Sequence, residues 1–138
     1  MIGLVTAAGL GLRAGGPKAE RILDDDPRPL LLRCIAGLMT AGAEAVFAVV
    51  RPAHIELAER AGARVLCPQP APAEMIDSVL AGLTAIEAQA TWADGILLCP
   101  VDAPRAAEYC VNWLPEALAN YPDVALVPGF GGRSGHPA

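Results

Sequence analysis

Short apolar runs alternate with stretches of helical periodicity along the whole chain. Ile2 to Ala7 is the first such run and predicts a strand, and Ala45 to Val50 predicts a second. Between them Pro29 can open a helix, and Leu30 to Ala41 runs on to Gly42, a position suited to a left-handed cap. Ala53 to Ala61 predicts a second helix stopped by Gly62, and Arg64 to Cys67 a short third strand. The Pro-rich stretch from Cys67 to Glu74 discourages both helix and central strand, and loops of this kind often cover a site. Met75, Val79, Leu80, Leu83 and Ile86 then recur at helical spacing, which predicts a third amphipathic helix over Ala73 to Gln89 with this stripe packed in the core. Gly95 to Cys99 predicts a fourth strand, Arg105 to Asn120 a helical stretch interrupted by Pro115, and Val124 to Val127 a fifth strand. Strands that alternate with helices imply a mostly parallel sheet in a three-layer α/β/α sandwich. In such folds ligands gather at the carboxyl ends of the strands.

Composition narrows the picture. A chain of 138 residues, 54% of them hydrophobic, is enough for one domain with a sizeable core. Ten basic and fifteen acidic residues give a formal charge of -5. A broad basic surface for nucleic acid or anionic lipid is therefore not expected, and any phosphate must meet a local pocket. Ala45 to Val50 is far shorter than the roughly 20 apolar residues of a membrane span. The apolar N-terminus lacks the preceding basic residue of a signal peptide and is broken by glycines, so a cytoplasmic protein is expected. Cys34, Cys67, Cys99 and Cys110 stand far apart without metal-site spacing and read as reduced, mostly buried thiols.

The chemistry concentrates directly after the first strand, in Ala7-Ala8-Gly9-Leu10-Gly11-Leu12-Arg13-Ala14-Gly15-Gly16-Pro17-Lys18. Its glycines allow positive φ and expose backbone N–H groups to a phosphate, and Arg13 and Lys18 add charge. Lys18 is the only lysine of the chain. Gly9-x-Gly11-x-x-Ala14 fits a dinucleotide fingerprint, but Gly15, Gly16 and Pro17 prevent a helix from opening there, and Arg51 follows the second strand where an acidic ribose ligand is expected. A Walker A loop is excluded because Pro17 precedes Lys18 and Ala19 stands where Ser or Thr would bind magnesium.

The run A-A-G-x-G-x-R-x-G-x-P-K, Ala7 to Lys18, resembles the signature loop of the MobA-like nucleotidyltransferases, which have the nucleotide-diphospho-sugar transferase (GT-A) type fold. Four further segments in the same order are similar to that family: Pro29-Leu30-Leu31 with Ala41-Gly42, Ser78 with Gly82-Leu83, Leu97 to Pro104 around Asp102, and Gly135-His136-Pro137. The chain departs from the pattern at Ala14, at Ala19-Glu20-Arg21, and by ending at Ala138, which leads to the expectation that the C-terminal part of the family fold is missing. The sheet end so exposed would favour a homo-oligomer.

The resemblance implies transfer of a nucleoside monophosphate from an NTP to a phosphorylated small-molecule acceptor, with release of pyrophosphate. Arg13, Lys18 and Asp102 would be catalytic. Ala7, Ala8, Gly9 and Gly11 would join Arg13 and Lys18 in binding the nucleotide, Ser78 would face the base, and His136 would contact the acceptor. Asp102, at a strand end between Pro100 and Pro104, suits the one carboxylate that Mg2+ takes alongside phosphate oxygens. Thr6-Ala7-Ala8-Gly9 is similar to the cytidylyltransferase branch, with the Ala8 methyl expected to crowd a purine, so CTP is favoured; Gly135-His136-Pro137 favours molybdopterin as acceptor. Asp24 to Asp26 reads as a solvated turn, and His54 as a surface residue. Ser134 lies outside a nucleophile elbow, which argues against a hydrolase. The competing readings are a nucleotide-binding module without turnover and a dinucleotide-dependent oxidoreductase.

Overall fold

The computed structural model describes residues 1–11, 15–89, 95–105, 114–121, 129–130 and 133–134. Arg13, His136, Cys110 and the fifth strand expected at Val124 to Val127 lie outside them. In chain order the elements are β1 (Ile2–Thr6), α1 (Leu30–Thr40), β2 (Ala45–Val49), a 3-10 turn (Pro52–His54), α2 (Ile55–Arg60), β3 (Arg64–Leu66), α3 (Met75–Gln89), β4 (Ile96–Pro100), α4 (Leu114–Asn120), β5 (Gly129–Phe130) and β6 (Arg133–Ser134). Four strands form an all-parallel sheet in the order β3-β2-β1-β4. The antiparallel pair β5/β6 is too short to leave a periodic signature in the sequence.

The strand period of two sorts side chains between the faces. Ile2, Leu4 and Ala8 cluster with Phe47, Val49 and Ile86 on the α3 face, whereas Val5 and Ala7 pack with α1 and α2 residues such as Leu31, Ile35 and Ala58 on the other. Helices on both faces make three layers, as the alternating pattern predicts. Both α1 and α2 lead into left-handed glycines, Gly42 and Gly62, at the expected places.

α3 meets the sheet through Ser78, Gly82 and Ile86. A Cβ on Gly82 would stand 2.5 Å from Leu4 Cδ1, so glycine is what lets this helix lie directly on β1. That contact rotates the buried face away from the expected stripe. Met75 and Leu80 are exposed, and Val79 and Leu83 only half-buried. The helix also starts at Met75 rather than Ala73, because the Asp77 carboxylate accepts the Ala73 and Glu74 N–H groups and fixes the end of the Pro-rich loop.

Two polar features carry more than the local sequence shows. Asp25 and Asp26 are not simply solvated: they face Arg33, which is buried on α1, with Arg33 Nη1 3.0 Å from Asp25 and Nε 3.6 Å from Asp26. Arg28 grips Asp26 at 2.6 Å and holds its carboxyl down to about 2, while Arg105 donates to Asp25 at 2.7 Å and, with Arg33, lowers that carboxyl too. His54 is 1% exposed, not on the surface, because the 3-10 turn that follows Pro52 directs its ring inward. Its Nε2 lies 3.2 Å from Glu20 Oε1, without hydrogen-bond alignment.

Candidate active site

The sheet order makes β1 and β4 neighbours, so the loop after β1 and the turn after β4 leave the same edge side by side. The pairing continues past the strand ends: Val101 N–H donates to Thr6 O at 3.1 Å, and Ala103 N–H closes a turn onto Pro100 O at 2.9 Å. That turn presents Asp102. Across from it, Lys18 is held in place from below by Ala19, which is buried in the α1-side core. The carbonyls of Ala19 and Arg21 accept N–H groups of Leu31 and Leu30, so they cap α1 where no side chain does.

Lys18 Nζ donates to Asp102 Oδ2 at 2.6 Å, with 35% and 31% of the two side chains exposed. An ion pair so accessible to water is worth about 1 kcal/mol or less. It holds the two groups ready at low cost and yields readily to a stronger ligand. Beside it the glycine loop turns back on itself, with Gly11 at φ +64° and the Gly16 N–H donating to Gly11 O at 3.1 Å.

A cavity of about 530 Å³ runs along this edge on the α3 side. Ala8, Gly9, Gly11, Lys18, Ser78 and Asp102 all line it, which gathers into one place residues drawn from three separate sequence segments. Residues 71–74 of the Pro-rich loop form another wall. Ala7 is not among the lining residues; its side chain is packed in the α1-side core. The Ala8 side chain is almost fully buried, in the α3-side cluster that holds Phe47 and Val49, on the face along which the cavity runs.

Among the lining residues that the sequence did not single out as site residues are Thr6 and Arg51. Arg51 Nε donates to Ala8 O at 2.7 Å and so ties the glycine loop to the end of β2. Its signal was its place directly after a strand. The Thr6 hydroxyl is buried without a hydrogen-bond partner. Glu74 and Asp102 are the carboxylates at the cavity wall, and no three His, Cys, Asp or Glu side chains gather into a cation cage among the described residues. Behind Asp102, Cys34 and Cys99 are buried; the Cys99 thiol and burial both push the Cys34 thiol up, so it stays protonated and is no nucleophile. No helix among the described residues is long and apolar enough to cross a membrane.

Solved structures share the architecture. The chain superposes on a nucleotidyl transferase from Methanothermobacter thermautotrophicus with a TM-score of 0.56 at 21% identity, over 80% of this chain and 56% of the other. It superposes on Rv0371c from Mycobacterium tuberculosis H37Rv with a TM-score of 0.69 at 22% identity, over 99% of this chain and 68% of the other. The chain thus spans little more than half the length of the first of these proteins. No curated protein matches it by sequence. The family model for the MobA-like NTP transferase domain matches residues 3–138, and the chain belongs to that family.

Proposed function

We propose that the chain carries the nucleotide site of a nucleotidyltransferase, which moves a nucleoside monophosphate from an NTP to a phosphorylated small-molecule acceptor and releases pyrophosphate. The observation that carries this reading is the pairing of Lys18 with Asp102 at the mouth of the glycine-lined cavity. A reaction of this kind needs no covalent intermediate with the protein. It needs alignment of the acceptor phosphate with the α-phosphorus and stabilisation of the charge on the leaving pyrophosphate.

The positions of Gly9, Gly11, Lys18, Ser78 and Asp102 on the cavity wall support a task for each, and the family resemblance supplies those of Arg13 and His136. The Gly9 and Gly11 amides and Lys18, with Arg13 from the same loop, would hold the triphosphate. Asp102 would exchange the Lys18 ammonium for Mg2+, which takes one carboxylate together with phosphate oxygens and water. The ammonium so released is free for the outer phosphates. When bound, the cation would supply neutralisation of the leaving pyrophosphate. Ser78, at the first turn of α3, would face the nucleoside, and His136 the acceptor. CTP is the favoured nucleotide and molybdopterin the favoured acceptor on the strength of Thr6-Ala7-Ala8-Gly9 and Gly135-His136-Pro137.

The test is pyrophosphate release with Mg2+, each of the four NTPs and a panel of phosphorylated acceptors including molybdopterin. Release is expected with CTP and an acceptor together, and its loss by about 100-fold or more in Asp102→Asn, the scale of losing one transition-state charge contact. Binding of a nicotinamide dinucleotide with no NTP binding would overturn the reading.

A further inference from the structure

One wall of the cavity is the Pro-rich loop between β3 and α3, and its composition leaves it few ways to hold a position. Pro68, Pro70 and Pro72 carry no N–H, so five of the eight residues from Cys67 to Glu74 keep a main-chain donor. From Pro68 to Ala73 the main chain makes no backbone–backbone hydrogen bond among the described residues outside the ladder of α3. The loop is fastened at its far end instead. Ala73 N–H and Glu74 N–H both donate to Asp77 Oδ2, at 3.2 and 3.0 Å. Asp77 is the third residue of α3, where the unsatisfied N–H groups of the first turn favour a carboxylate that can reach back past the helix start. The next residue, Ser78, is buried and lines the cavity, as Ala73 and Glu74 do. One carboxylate oxygen thus locks the wall to the helix turn that forms the adjoining surface.

Resting on the nucleotidyltransferase reading, we infer that Asp77 is a positioning residue for the nucleoside: it touches no substrate and acts by setting how far residues 71–74 stand from the glycine loop across the cavity. The triphosphate is assigned to Lys18, Asp102 and the glycine loop, whereas the wall adjoins Ser78, on the nucleoside side. A proline-rich chain is stiff, so fixing its last two residues fixes the direction of Ala71 and Pro72 as well. Freed of Asp77, the same stretch pivots where it leaves β3, and a nucleoside that must order it again binds with an entropic penalty. Phosphate binding does not bear that penalty. Both N–H groups converge on a single oxygen, so the task needs an acceptor at that point and not a charge. A neutral amide oxygen, with two lone pairs, can perform it.

Calorimetric titration with CTP and with inorganic tripolyphosphate, together with amide hydrogen exchange at Ala73 and Glu74, tests this in Asp77→Ala and Asp77→Asn. Asp77 is exposed, so both variants should fold with circular dichroism unchanged. Asp77→Ala should weaken CTP by about tenfold, the scale of one hydrogen bond to a charged group, while tripolyphosphate affinity holds within about twofold. Its Ala73 and Glu74 amides should exchange faster than those of the unaltered protein. Asp77→Asn, which keeps an acceptor oxygen, should recover most of the CTP affinity and the slower exchange. A lower melting temperature in Asp77→Ala with the ratio of CTP to tripolyphosphate affinity unchanged would reduce Asp77 to a helix cap and overturn the proposal. Asparagine as damaging as alanine would overturn it too, since charge rather than the place of the wall would then matter. In both of these outcomes CTP still binds the unaltered chain and the nucleotidyltransferase reading stands. A folded, unaltered chain that binds no NTP would overturn both.

Discussion

Lys18→Ala should cost nucleoside triphosphate binding on the order of 10- to 100-fold while leaving nucleoside monophosphate binding nearly unchanged. The estimate follows from the loss of one hydrogen bond to a charged group, about 1.5–3 kcal/mol. It assigns the ammonium to the outer phosphates, which a monophosphate lacks. The ion pair with Asp102 that the substitution also removes contributes little of its own, because both side chains are about a third exposed. Titration of the two proteins with CTP and CMP separates the terms. Equal losses for CTP and CMP would assign Lys18 to loop folding alone.

Gly11→Ala should remove nucleotide binding more completely and by a different route. At φ +64° an alanine costs about 1–2 kcal/mol. In addition its Cβ would overlap the carbonyl oxygen of Gly16, backbone that cannot swing aside without breaking the Gly16 N–H bond to Gly11 O. That bond is worth about 1 kcal/mol more. The closed loop is then disfavoured by about 2–3 kcal/mol, roughly 30- to 150-fold in population. The sheet core does not include the loop, so circular dichroism should stay native while NTP affinity falls. Native-like affinity in Gly11→Ala would show that the closed form is not the one that binds.

How much of this was legible in the sequence depends on how far each residue's partner lies along the chain. β1, α1, β2, α2, β3 and β4 appear within a residue or two of their expected limits, because strand and helix periods are local. The glycine loop, Lys18 and Asp102 were readable from their place after strands, and the parallel order brings them together as that reading requires. His54 was misjudged because the turn that buries its ring is set by tertiary packing, and the Asp25–Asp26 turn, solvent-exposed as expected, carries ion pairs to Arg33 and Arg105 that no local pattern announces. Arg51 was visible as an argument against a dinucleotide and not as a cavity residue, since its reach to Ala8 crosses from one strand end to the next.

The bridge that Asp25 makes between Arg33 and Arg105 ties the helix under the site to the residue three places after Asp102. Its outer half is open to water, with Arg105 59% and Asp25 42% exposed, whereas Arg33 is 2% exposed. Added electrolyte therefore weakens the link to Arg105 before it touches the anchorage on Arg33. Ionic strength thus acts on the cavity twice, once by screening the bound phosphates and once by slackening the tether of the turn that presents Asp102. The dependence of affinity on salt will consequently be steeper than the number of phosphate contacts alone accounts for, and a count of those contacts taken from its slope will come out too high.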